Sequence, residues 1–479
     1  VIRERLLGLV ESARPLADRF HSAGHRLYVV GGAVRDALLD LDPGEADLDL
    51  TTDALPEETE AMVRGWADAV WLQGKRFGTV GCSFGRTRYE ITTHRAEAYH
   101  PDSRKPDVAF STEVEADLSR RDFTINAMAL RLPDAELVDP FEGRVDLMER
   151  RLRTPLAPEV SFEDDPLRML RAARFIAAYG MKPDAALVSA VERLRGRLSI
   201  VSAERIRVEL DKLLVVERPS EGLSFVVHTG LADEFLPELP ALALEQDPIH
   251  RHKDVLAHTI AVVDRTRPDR ILRLAALFHD VGKPKTRSIG PGGVSFHHHE
   301  VVGARMTRER MRSLRYPTEG VEAVARLVEL HLRFHTYRMG WTDRAIRRYV
   351  RDAGRLLGQL NELTRADCTT RNAAKARELD ARMDELEASI ARLRQQEELD
   401  AIRPELDGRQ VMSVLGLQPG PTVGEALEFL LELRLDEGLL GEEEAGRRLR
   451  QWWDTSARQR PGNTSTKGKG KTEPVARSQ

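Results

Sequence analysis

Asp47 and Asp49 stand two residues apart in the run ADLDL. Side chains alternate faces along a strand, so an extended ADLDL sets both carboxylates on one side. Two such anions repel unless a cation lies between them, and hard oxygen donors suit Mg²⁺. Upstream, YVVGGAVRDALL (Tyr28 to Leu39) places Gly31 and Gly32 between a β-rich run and a helix carrying Arg35. Backbone N–H groups in such a turn approach phosphate closely, and a helix N-terminus favours anions. A phosphate cradle beside paired carboxylates predicts metal-assisted phosphoryl or nucleotidyl transfer. Glu90, in YEITTHR, is the candidate third carboxylate, a base toward an attacking hydroxyl; an ordinary exposed strand glutamate is the alternative.

A second pattern lies in EDDPLRMLRAARF (Glu163 to Phe175). With Pro166 in a first helical turn, Asp165 and Arg168 are expected on one helix face. A carboxylate accepts hydrogen bonds and a guanidinium only donates them. Cytosine and adenine each offer an amine donor beside a ring-nitrogen acceptor, whereas uracil and guanine offer the reverse. The pair therefore has the groups to select C and A; an intrahelical ion pair worth roughly 0.2–0.5 kcal/mol is the plainer reading. A third cluster runs through HKDVLAHT, LFHDVGK, SFHHHE, LVELHL and LTRADC, with His279 and Asp280 adjacent, His258 upstream and Asp367 downstream. Imidazole with carboxylate suits Mn²⁺, Ni²⁺ or Co²⁺ better than a bare oxygen cage does.

The elements that position these groups follow from periodicity. RLYVV, ADLDLTT, GTVGCSF and RYEITTHR read as strands, the last two as a hairpin across Gly85. Beyond about Asp139 the spacing turns helical and stays so to about residue 455. The expected class is α+β: an α/β head followed by an all-helical neck and body. Leu379, Met383, Leu386, Ile390 and Leu393 form a heptad seam, predicting an arm that packs on its own chain. The last residues, 456–479, are rich in Gly, Lys, Ser and Thr and read as a disordered basic tail. With 479 residues and 41% hydrophobic content, about three or four domains are expected. No run is apolar enough for a membrane span and the start lacks a signal-peptide core, so a cytoplasmic protein with no membrane partner is expected. Two cysteines exclude a disulfide framework, and a net charge of −4 excludes a wholly basic nucleic-acid coat while leaving room for a local basic groove.

Taken in order, GGAVRD, DLD, RRDFTINAMAL (Arg120 to Leu130), DPFEGRVDL, EDDPLRMLRAARF and SAERIRVEL resemble the motifs of class II tRNA nucleotidyltransferases, the CCA-adding enzymes and the similar bacterial poly(A) polymerases. The resemblance covers about half the chain. It implies that Asp47 and Asp49 hold catalytic Mg²⁺, that Gly32 and Arg35 contact the triphosphate, and that Arg121 helps bind the nucleotide. It also implies that Asp165 and Arg168 form the base template, with Arg171 and Arg174 continuing a basic stripe toward nucleotide and RNA phosphates. One departure is that family members commonly carry Glu-Asp where this chain has Asp164 and Asp165, after an additional Glu163. The histidine cluster resembles the HD phosphohydrolase superfamily, implying ligands His258, His279, Asp280 and Asp367, with His299 and His331 for a second metal or phosphate. The expected organisation is a nucleotidyltransferase head (1–150), a neck with template and RNA-binding region (151–245), an HD domain (246–372), a tRNA-binding helical body (373–455) and the tail. The expected partners are tRNA, CTP and ATP, and the expected activity is CCA addition, with A-only, C-only or poly(A) addition as neighbours. An HD phosphohydrolase with a nucleotide- or RNA-binding head is the alternative from another class.

Overall fold

The computed structural model describes residues 2–41, 47–98, 107–244, 254–290, 293–336, 341–368, 373–397 and 402–459. The head is built on β1 (Leu27–Val30), β2 (Asp47–Thr52), β3 (Ala69–Trp71), β4 (Thr79–Phe84), β5 (Thr87–Thr93), β8 (Ala129–Leu132) and β9 (Glu136–Val138). These form one mixed sheet in the order β3-β4-β5-β2-β1-β8-β9, with β2 and β5 parallel and the other pairs antiparallel. A separate ribbon pairs β6 (Arg95–Ala98) with β7 (Asp107–Phe110). Alternation decides the two faces: Leu48, Leu50, Tyr89, Ile91, Val80 and Cys82 are buried, while Asp47, Asp49, Arg88 and Glu90 are exposed. The Tyr89 hydroxyl donates to the Ser12 carbonyl at 2.9 Å, tying the apolar face to the helix Ile2–Ser22. That helix buries Leu9, Val10, Ala13, Leu16, Ala17 and Phe20 at helical spacing.

Helices carry the chain onward from residue 143, but the strand signal does not vanish there. β10 (Arg151–Leu152) pairs in parallel with β11 (Lys182–Pro183), and β12 (Arg287–Gly290) forms a hairpin with β13 (Gly293–Phe296). These strands are two to four residues long, too short for alternation to be seen in sequence. In the neck, Leu167–Tyr179 and Ala203–Leu214 are helices, and the HD region contributes Val255–Arg265, Arg270–Phe278, His299–Ser313 and Thr318–Leu330. Arg273 is fully buried and donates to the carbonyls of Leu214, Val216, Glu217 and Thr266, fastening the ends of two of these helices to a third. A buried guanidinium is tolerated there because several carbonyls satisfy its donors.

The described residues fall into two compact units, one of residues 1–331 with 362–369 and the other of residues 332–361 with 370–479. The division falls inside the stretch expected as a single HD domain, and returns at Glu362 so that Asp367 stays with the first unit. In the second unit the helix Ala373–Gln396 buries Met383, Leu386, Ile390 and Leu393, with Leu379 half-buried at the end of the seam. Trp452 stacks on Phe429 at 4.8 Å and packs against a core of Leu406, Val411, Ala426, Leu430 and Leu449. The last helix, Glu442–Gln459, runs past the expected end near 455, and the tail from 460 lies outside the described residues.

Candidate active site

Cross-strand register assembles the first site. Asp49 on β2 lies opposite Glu90 on β5, and Asp47 lies opposite Arg88. Three exposed carboxylates thus share one sheet face. Although solvent reaches the residue, desolvation by the surrounding protein raises the Asp49 carboxyl above its ordinary value, resisted by Arg121 and reinforced by Asp47. Burial likewise raises Glu90, and the charges of Asp49 and Asp47 add to the rise. Anions that oppose one another's ionisation on a shared face, with only oxygen donors, are the donor chemistry of a hard cation such as Mg²⁺.

Beside them lies a cleft of about 380 Å³ lined by Asp49, Glu90, Thr79, Thr92, Asp122 and Asp165 together with Arg95, Arg120, Arg121, Arg168 and Arg171. Five arginines facing one cavity give it the charge to hold a polyphosphate. Gly31 has φ +73°, and a Cβ there would stand 3.1 Å from Arg121 Nη1 and 3.8 Å from Asp49 Oδ2. Glycine is therefore required at 31 by conformation and by the closeness of the cleft. At Gly32 the nearest atom, Arg35 Nη2, would be 3.5 Å from a Cβ, an ordinary contact.

Arg35 does not line this cleft. Its guanidinium is buried, donates to Asn126 Oδ1 at 2.6 Å and to Asp36, and lies 4.5 Å from the Tyr179 ring. Arg121 and Arg120 both pair with the buried Asp117, at 3.1 and 2.9 Å. Burial opposes ionisation of Asp117, but these two charges outweigh it and hold the carboxyl below its ordinary value.

The template pair is arranged differently from the expected helix face. Asp165 has extended backbone (φ −139°, ψ 97°) between the helices Pro158–Asp164 and Leu167–Tyr179, and Pro166 caps the second. Its Oδ1 accepts from the Leu167 N–H at 3.2 Å and its Oδ2 from Arg205 at 2.7 Å. Arg168 is bound elsewhere: Nη1 donates to Ser161 Oγ at 2.9 Å and Nη2 to the Arg120 carbonyl. Both line the cleft, but Arg205, not Arg168, is the partner of Asp165. Arg171 and Arg174 are likewise engaged, Arg171 on Asp122 at 2.5 Å and Arg174 on Glu209 at 2.8 Å. The Arg171 pair joins head to neck and lines the cleft, whereas the Arg174 pair ties together two neck helices and does not line it.

The second site gathers His258, His279, Asp280 and Asp367, the set that the resemblance to the HD superfamily implies. His258 Nε2 is 2.9 Å from Asp367 Oδ1 and 3.3 Å from His279 Nε2, and His279 Nε2 is 3.2 Å from Asp280 Oδ2. His299 Nε2 lies 3.4 Å from Asp280 Oδ1. The Nδ1 atoms of His279, His299 and His331 each donate to a carbonyl three residues earlier, of Ala276, Phe296 and Val328, at 2.6–2.8 Å. That orients the three rings with Nε2 turned inward. Among the described residues, the buried Nε2 atoms of His299 and His331 have no hydrogen-bond partner. Burial, helped by His279, pushes His331 down to about 3, so it stays neutral. Burial opposes charge on Asp280, but His279 and Lys283, the latter at 2.6 Å, hold it ionised. Unpartnered imidazole nitrogens around an ionised carboxylate fit a borderline transition metal.

The sequence matches three families: Poly A polymerase head domain over residues 27–153, Probable RNA and SrmB- binding site of polymerase A over 180–242, and HD domain over 254–393. It is 37% identical over 371 residues to the A-adding tRNA nucleotidyltransferase of Deinococcus radiodurans, covering 74% of this chain and 82% of that enzyme. It is 39% identical over 229 residues to the CCA-adding enzyme of Limosilactobacillus reuteri, a match spanning 48% of this chain and about half (55%) of the relative. The fold resembles the CCA-adding enzyme of Bacillus stearothermophilus crystallised with CTP, with a TM-score of 0.66, 23% identity and coverage of 96% and 99% of the two chains. Among the described residues no helix is long and apolar enough to cross a membrane. By its matched length and identity to the Deinococcus enzyme, the chain belongs to the tRNA nucleotidyltransferase family.

Proposed function

We propose that this chain adds C, C and A to the 3′ end of tRNA, taking CMP and AMP from CTP and ATP without a nucleic-acid template. The observation that carries the reading is the row of Asp49 and Glu90, with Asp47 one row on, beside a cleft lined by five arginines. In the reaction the terminal 3′-oxygen bonds to the α-phosphorus, the bond to the bridging oxygen breaks, and pyrophosphate leaves. Glu90 takes the hydroxyl proton, and the cleft arginines hold the triphosphate charge. Asp47 and Asp49 would hold Mg²⁺, which supplies stabilisation of the attacking and leaving oxygens. Asp165 accepts from the exocyclic amine of C or A, and Arg168, fixed by Ser161 and the Arg120 carbonyl, offers donors to the ring acceptor.

The more fully matched of the two compared relatives is an A-adding enzyme, and this favours one second reading, addition of A alone to ends that already carry CC. The test offers tRNA transcripts ending at the discriminator base, or after CC, with CTP, ATP or both, and resolves products to single nucleotides. Three-nucleotide extension of the shorter transcript supports CCA addition. Extension of the CC transcript alone, by A, establishes the second reading. The histidine cluster is a second centre, competent for Mn²⁺, Ni²⁺ or Co²⁺ and for phosphomonoester or cyclic-phosphate hydrolysis. The unpartnered His299 and His331 nitrogens support this.

A further inference from the structure

The carboxylate face of the sheet continues past Glu90 toward the edge strand, and its register is informative. Asp49, Glu90, Gly81 and Trp71 stand opposite one another in a single cross-strand row, and Asp47, Arg88, Ser83 and Ala69 form the next. Small residues at Gly81, Ser83 and Ala69 leave this part of the face low. The Trp71 indole fills the space above Gly81, where a Cβ would fall 1.9 Å from its Nε1. The result is a second depression, of about 420 Å³, lined by Asp47, Glu90, Trp71, Gln73, Ser83 and Arg88. It shares Glu90 with the arginine cleft, so the carboxylates form a ridge between two recesses.

Charge separates the two recesses. The cleft has five arginines, enough for a triphosphate; the depression has one, Arg88, which makes no hydrogen bond or ion pair among the described residues. One guanidinium matches one phosphodiester. The half-buried Trp71 indole beside it lines the depression, and an aromatic face of this kind is one on which a single-stranded base stacks. Stacking tolerates any base, which suits an acceptor whose terminal base changes after each addition. Because attack must come from outside the nucleotide cleft, an RNA end lying here has its hydroxyl at the shared carboxylates.

Resting on the nucleotidyl-transfer reading above, we propose that this depression seats the 3′-terminal nucleotide of the acceptor RNA, its base on Trp71 and its phosphodiester on Arg88. The experiment uses the full chain and an acceptor-stem RNA hairpin ending in 3′-deoxy-2-aminopurine riboside, whose fluorescence falls on stacking. The native chain and Trp71→Tyr should quench the probe. Trp71→Ala should lose the quench and raise KM for unmodified acceptor about tenfold, with KM for CTP and ATP unchanged. Arg88→Gln, at an exposed position that does not threaten folding, should raise acceptor KM and reduce the salt slope of RNA binding by about 0.7. A raised nucleotide KM with unchanged acceptor KM in Arg88→Gln would assign the depression to the triphosphate and overturn the proposal. So would undiminished quenching in Trp71→Ala, or its absence in the native chain. Quenching by a native chain that adds no nucleotide to any acceptor supports the seat and overturns the transfer reading instead.

Discussion

Replacing Asp122 with Asn removes one charge from the joint between head and neck at nearly constant volume. Asp122 Oδ2 accepts from Arg171 Nε and Nη2 at 2.8 and 2.5 Å, and Oδ1 accepts from the Phe123 N–H and Asn126 Nδ2 at 2.8 and 2.9 Å. Asparagine keeps one oxygen for the latter pair but turns an NH₂ toward the Arg171 donors. Stranding one member of a fully buried pair costs about 3–5 kcal/mol. Arg171 is 32% exposed and keeps Glu209 at 3.8 Å, so water and a second carboxylate recover part of this, leaving about 2–3 kcal/mol. Urea unfolding read by hydrogen exchange in peptides of the head confines the measurement to this region. Arg171→Met and the double variant complete a cycle, and the double variant should be less destabilised than the sum of the singles. The pH dependence has a definite sign. Burial would raise the Asp122 carboxyl, but Arg171 and Asn126 outweigh it and hold it below 3.8. A lowered native value means its contribution is complete above the ordinary carboxylate range and is lost as pH falls through the native value. The gap between native chain and Asp122→Asn should therefore be flat above about pH 5 and close below about pH 4. A difference under about 0.5 kcal/mol at pH 7, or a gap that widens on acidification, would refute the reasoning.

Three further outcomes are expected. Asp49→Ala should lower nucleotide addition by about two to three orders of magnitude with tRNA affinity nearly unchanged, checked by single-turnover incorporation and filter binding. Arg168→Met should reduce discrimination against UTP and GTP by about 1–3 kcal/mol, read as the ratio of kcat/KM values; equal slowing of all four nucleotides would contradict its role at the base edge. The double change His279→Ala, Asp280→Ala should abolish binding of Mn²⁺, Ni²⁺ or Co²⁺, measured by calorimetry and bound-metal content, while nucleotide addition persists, since the two centres share no residue.

What the sequence disclosed and what it hid divide along one physical line. Asp47 and Asp49 were legible because strand period is local, and the histidine cluster because its motifs resemble those of the HD superfamily. The partners were not legible. Arg35, Arg171 and Arg174 read as cations free for phosphate, whereas Asn126, Asp122 and Glu209 claim them across 91, 49 and 35 residues. Asp165 was expected inside a helix, yet a residue before proline is pushed toward extended backbone, and Pro166 follows it. That signal was present and points the right way. The hairpin of β12 and β13 also had a signal in its intervening Pro-Gly, though its strands are too short to show a period. Trp71 had none, because its place beside Glu90 exists only through the pairing of three strands.

The central claim is that the carboxylate row performs nucleotidyl transfer to an RNA end. Its most direct measurement is incorporation from α-labelled CTP and ATP into tRNA lacking its terminal nucleotides, with pyrophosphate release followed in parallel, for the native chain and for Asp49→Asn. Equimolar label incorporation and pyrophosphate release by the native chain, both lost in Asp49→Asn while tRNA still binds, is the expected result. Incorporation that survives in Asp49→Asn, or nucleotide consumption that releases inorganic phosphate without extending the RNA, would contradict it.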